Sequence, residues 1–158
     1  MPLLSGGQAL APGTNLSQRV SFTETTGAGT YTGSVTVPAG AIITDIKFWS
    51  TALWTATTSA LLKIGDATDD DGWFGPAQNI DLKATDLLVG EELNFENAGG
   101  KPGAYLVLAS GTRSAAYSAS ERVISAVITT VGAAGSAGRS FMEVIWQNPT
   151  IVDAATKA

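Results

Sequence analysis

The chain of 158 residues carries a formal net charge of −5, a pI near 4.5, and neither cysteine nor histidine. Without cysteine there are no disulfides, thiolate nucleophiles or common zinc and iron–sulfur ligand sets, and without histidine Ser-His-Asp and Cys-His catalysis and His-based metal sites are excluded too. Nine basic residues scattered along an acidic chain argue against a nucleic-acid partner, whose affinity comes largely from clustered Lys and Arg releasing counterions. The length suits one domain.

Residues 1–17 hold Pro2, Gly6, Gly7, Pro12 and Gly13, with brief apolar patches at Leu3, Leu4 and Leu10. No period is sustained, so an extended N-terminal arm is predicted. The opening M-P-L-L-S-G-G-Q lacks the basic region and apolar core of a secretion signal, and no run of 18 apolar residues occurs. The expectation is therefore a protein without a membrane partner, made and used without crossing a membrane as a precursor.

Residues 18–147 are predicted to form the folded domain. Strand signals start at Arg19–Thr23 and sharpen at Tyr31–Val37, where Tyr31, Val35 and Val37 alternate with Thr32, Ser34 and Thr36. Pro38-Ala39-Gly40 then turns the chain, proline presetting φ and glycine allowing positive φ. In Ala41–Trp49 the period of two sets Ile42, Ile46 and Phe48 on a core face, with Ile43, Asp45, Lys47 and Trp49 opposite. Ser59–Ile64 follows, with Ala60, Leu62 and Ile64 inward.

Leu87–Phe95 and Ala104–Ala109 are predicted strands, and Asp81–Val89 is the one stretch that tolerates a short helix. Arg122–Val131 and Arg139–Gln147 alternate most clearly and read as a hairpin-like pair. Between them Gly132 to Gly138 is either flexible or ordered by packing on a flat surface. About eight short strands with turns between them predict an all-β protein, an antiparallel β-sandwich of jelly-roll type. Residues 148–158 form a predicted C-terminal tail.

Asp66, Asp69, Asp70 and Asp71 place four carboxylates in six residues, enough oxygen donors to be weighed as ligands of a hard cation. The EF-hand spacing fails, because with Gly72 in the sixth position Ala67 takes the first and Gln78 the twelfth. A solvated acidic loop at a sheet edge is the plainer reading. Glu91 and Glu92 are adjacent on an extended chain and point to opposite faces, so they do not make a glycosidase pair. Trp49, Trp54, Trp73 and Phe74 are candidates for a core, a subunit interface or a carbohydrate platform. Gly132–Gly138 lacks the G-K-[ST] ending of a phosphate loop. No catalytic residue and no cofactor is predicted.

The segment V-T-V-P-A-G-A-I-I-T-D-I-K-F-W, followed by A-L-L-K-I-G-D-A-T-D-D-D-G-W-F, resembles a pattern in small virion proteins of tailed bacteriophages. There a V-P-A-G-A turn precedes a strand, and a later strand leads through G-D to an acidic D-G-[WYF] loop. The likeness covers about residues 31 to 75. It implies a non-enzymatic β-sandwich virion protein, most often a head decoration or cement protein on the capsid surface. It further implies the major capsid protein as partner, a homotrimer at threefold positions, and synthesis in the host cytoplasm. The alternative is a tail or fibre component with a receptor- or carbohydrate-binding sandwich, which requires Trp49, Trp54 and Trp73 to be exposed together.

Overall fold

The computed structural model describes residues 14–26, 29–76, 79–83, 85–107 and 114–147. The predicted arm lies almost wholly, and the predicted tail wholly, outside them. The strands are β1 (Asn15–Thr23), β2 (Thr30–Val37), β3 (Ile42–Ala52), β4 (Ser59–Gly65), β5 (Ile80–Asp81), β6 (Glu92–Leu93), β7 (Arg122–Val131) and β8 (Arg139–Gln147). A single 3-10 turn at Ser114–Ala116 is the other regular element among the described residues.

Two four-stranded antiparallel sheets result, ordered β1-β8-β3-β6 and β2-β7-β4-β5. Every connection except β4 to β5 passes from one sheet to the other, and this alternation is the jelly-roll winding. Pro38-Ala39-Gly40 therefore turns a corner between sheets, with the Gly40 N–H donating to Ser118 O at 2.8 Å.

The hairpin-like reading of the last two strands is corrected. β7 lies between β2 and β4 and β8 between β1 and β3, so both sides of each are taken by strands distant in sequence. Gly132–Gly138 crosses the end of the sandwich instead of closing a hairpin.

The period-two expectation holds in β2, β4, β7 and β8, whose Val35, Leu62, Ile64, Ile124, Ile128, Met142 and Val144 form the core with Phe22, Ile46 and Phe48. It slips in β3. Ile43 is buried and Ile42 is 44% exposed, because the pairing with β8 shifts between Ile43 and Asp45. A bulge adds one residue and reverses which neighbour faces inward.

Three other segments differ from expectation. Leu87–Phe95 narrows to the two residues of β6, since Leu88 to Glu91 forms a turn in which Glu91 N–H donates to Leu88 O and Glu91 Oε2 accepts from Leu88 N–H. Ala104–Leu106 is a turn, and residues 108 and 109 lie outside the described part. No helix forms in the described part of Asp81–Val89, where Asp81 Oδ1 accepts from Lys83 N–H and Asp86 Oδ2 from Asp81 N–H and Lys101 Nζ. Burial alone would raise the Asp86 pKa, but the Asp81 N–H and Lys101 hold it below its ordinary value.

Candidate functional site

The acidic loop leaves β4 at Gly65 and folds back on itself. Asp66 N–H donates to Asp69 O, and Asp66 Oδ1 accepts from the N–H groups of Thr68 and Asp69 at 2.9 and 3.1 Å. Tyr105 donates its hydroxyl to the same oxygen at 3.1 Å. Asp66 is thus committed to shaping the turn. Asp70 pairs with Lys63 of β4.

The carboxylates of Asp69, Asp70 and Asp71 converge to within 4.8 Å of one another, while Asp66 stays outside that group. A side-chain hydrogen bond to Asp71, which the protonated form of Asp69 donates, pushes the Asp69 carboxyl up, with burial and the like charges of Asp71 and Asp66 adding to it. Four predicted ligands therefore become one structural capping group and a triplet in which Asp70 is exposed and Asp69 and Asp71 are half-buried.

The loop returns through Trp73 and Phe74 into the core. Phe74 pairs with Ile64 on one side and Pro102 on the other, and Trp73 stacks on Phe95 at 5.0 Å and meets Tyr105 edge-on at 5.1 Å. Both side chains are fully buried. They anchor the acidic loop to the segment around Lys101–Tyr105 and present no surface to a partner.

Beside the loop an open depression of about 530 Å³ is lined by Asp66, Tyr105, Tyr117, Glu121 and Arg122, among others. The Arg122 guanidinium donates to the carbonyls of Ala115 and Ala116, which ties the 3-10 turn to β7. Burial pushes its pKa down, against the opposing pull of Asp66 and Tyr105. Burial, the bond to Asp66 and the surrounding acidic charge push the Tyr105 phenol up to about 12. A phenol held neutral this far above its ordinary 10.0 is no general base at neutral pH.

A raised folded-state pKa leaves the contribution intact below the unfolded value and removes it as pH rises through the folded one. Thermal stability should fall between pH 10.0 and about 12 as the Tyr105–Asp66 bond is lost. Melting curves of Tyr105→Phe should be flatter across that window than those of the parent.

At the opposite connection, between β3 and β4, Trp54 is 1% exposed and donates its indole N–H to Ser140 Oγ at 2.8 Å. Ser140 also bonds Ser50 across the β3–β8 ladder at 2.7 Å. The Gly132–Gly138 loop is ordered by packing on this flat ring: a Cβ at Gly138 would sit 2.6 Å from the indole.

Glu24, 2% exposed, completes the corner. Its carboxylate accepts from the N–H groups of Thr55, Ala56 and Gly138 and from the Thr55 hydroxyl, each at 2.9 Å. Burial works to raise its pKa, yet these donors outweigh burial and hold it below the ordinary 4.5. Sequence reasoning passed over Glu24, because its donors come from loops 31 and 114 residues away.

Trp49 alone of the four aromatic candidates lies on an outer face. It stacks on Phe141 at 5.5 Å, with the Arg19 guanidinium 4.9 Å from its ring centre. Glu143 bridges to Arg19, and Lys47 pairs with Glu92 at 3.3 Å. With Trp54 and Trp73 in the core, no shared platform of Trp49, Trp54 and Trp73 exists.

The sequence matches no protein-family model and no curated protein. Among solved structures, the jelly roll is shared with a chain in the acidic stable capsid structure of Helicobacter pylori bacteriophage KHP30. That chain is 12% identical and superposes with a TM-score of 0.52 over 89% of this chain and 92% of its own length. A chain in the capsid asymmetric unit of cyanophage Pam1 is 18% identical, with a TM-score of 0.51 over 94% of each. At these identities the shared property is the fold.

Proposed function

We propose that the protein is a non-enzymatic virion structural protein of a bacteriophage, a decoration or cement protein that binds the outside of the head and stabilises joints between capsid subunits. One observation carries this reading: the jelly roll superposes over about nine-tenths of its length on chains found in two phage capsid structures. The phage-like G-D…D-G-W segment supports it, since that segment builds the clamped loop between Gly65 and Trp73. The partner is the major capsid protein, and the copies group as homotrimers around threefold positions. Symmetric repetition then lets individually weak contacts add through avidity. The protein is made in the host cytoplasm and ends on the virion surface.

Heads of the encoding virus that lack the protein test this directly. Added purified protein should co-sediment with them and raise the temperature at which they release DNA. Heads that neither bind it nor gain stability would overturn the reading. Removing residues 1–13, which precede β1, should weaken head binding at least tenfold while leaving the melting temperature of the isolated protein unchanged.

A further inference from the structure

The sandwich has two kinds of edge. β5 and β6 close one side with ladders of two residues each, whereas β1 and β2 close the other over nine and eight residues. β1 pairs with β8 in unbroken register from Asn15 to Thr23 on one flank only. Among the described residues, no backbone group of β1 makes a hydrogen bond outside that ladder.

Natural edges of this length are usually guarded by proline, lysine, a bulge or a covering segment. β1 contains no proline, no lysine and no bulge. Its single charge, Arg19, is already paired with Glu143 and rests over Trp49. Among the described residues the edge is therefore unbroken and open, with Arg19 its one charge. β2 is less suited to pairing, because Gly33 sits in its middle.

We propose that β1 docks antiparallel on β1 of a second copy, with Gln18 at the twofold axis, joining two four-stranded sheets into one of eight. The direction follows from topology. A contact of β1 with itself is isologous, and only the antiparallel arrangement, with its twofold perpendicular to the sheet, keeps the core faces of both copies on one side, where the two β2 edges also lie. The register follows from side chains. Centring on Arg19 would oppose two guanidinium groups, and directly opposed like charges destabilise a sheet. Centring on Gln18 sets Leu16 against the second copy's Val20, both already packed against the core, and Ser17 against its Arg19. The contact is independent of head binding, and it joins copies whether or not they are also grouped in threes.

Absence of cysteine makes the test clean. Directly opposed residues in an antiparallel pair have Cα atoms roughly 4.5–5.5 Å apart, inside the range a disulfide spans. Gln18 is exposed, so Gln18→Cys should fold as the parent does. Under mild oxidation it should give covalent dimers on a denaturing gel at least tenfold faster than Arg19→Cys, or than Thr129→Cys on the outer face of β7. Cross-linking of Gln18→Cys no faster than of Thr129→Cys would overturn the contact, and faster linkage of Arg19→Cys would overturn the register. Loss of head binding leaves the gel unchanged, so the two proposals fail separately.

Discussion

Glu24→Ala should destabilise the protein by about 3–5 kcal/mol, placing it among the most damaging substitutions in the chain. The carboxylate is buried and accepts four hydrogen bonds from the β3–β4 and β7–β8 connections. Removing it strands the buried N–H groups of Ala56 and Gly138 without an acceptor, each at a cost of about 1–3 kcal/mol, and leaves the exposed Thr55 N–H to water. Glu24→Gln keeps the volume but turns one acceptor oxygen into a donor facing N–H groups, so it should recover little. Urea denaturation of the three proteins checks this; a loss below 1 kcal/mol for the alanine variant would show the corner to be held by packing alone.

The same group dictates acid behaviour. Its folded-state pKa lies below 4.5, so its contribution is complete above that value and is lost as pH falls through the folded pKa. The parent should lose stability on acidification in this range, and Glu24→Ala should lose less.

Gly65→Ala should cost about 3 kcal/mol or more through sterics alone. A Cβ there would lie 2.1 Å from Asp69 O and 2.3 Å from the carbonyl carbon of Asp70. Those are backbone atoms, so no side chain can swing aside to make room. The acidic loop would have to lift from the end of β4, breaking the turn at Asp66 and loosening Trp73 from Phe95. Tryptophan fluorescence should report that loosening together with the fall in melting temperature. Gly29→Ala is the matching control, because nothing lies within 4 Å of a Cβ at that position.

The strands of the sandwich were legible wherever a buried face alternates without interruption, as in Ala60-Leu62-Ile64 and Met142-Val144-Trp146. Alternation reports burial, and burial is what a two-layer sandwich imposes. It reports nothing about which strand lies alongside, so β7 and β8 read as partners although they belong to different sheets. The bulge after Ile43 was invisible for a related reason: one inserted residue leaves the composition intact and only reverses the phase. Among candidate site residues, carboxylate density marked the loop but could not separate Asp66, which caps the turn, from the triplet of Asp69, Asp70 and Asp71 whose carboxylates converge. Nor does an indole announce whether it fills the core, as Trp54 and Trp73 do, or lies on the surface with Trp49. Glu24 carried no local signal, since every donor it needs is remote in sequence.

The winding also dictates when the protein can begin to fold. The two strands at the heart of the sheets, β7 and β8, are the last to be synthesised. Among the described residues, until Arg122 emerges the ladders available are the two-residue pairs of β3 with β6 and β4 with β5, beside the isolated bridges of Phe74 with Ile64 and Pro102. β1, β2, β3 and β4 must wait as long unpaired edges, and at about 5–20 residues per second that wait lasts several seconds. Such non-local pairing folds slowly and exposes sticky strands meanwhile. The Ser and Thr spaced along β1 and β2 lower the apolar content of those waiting strands.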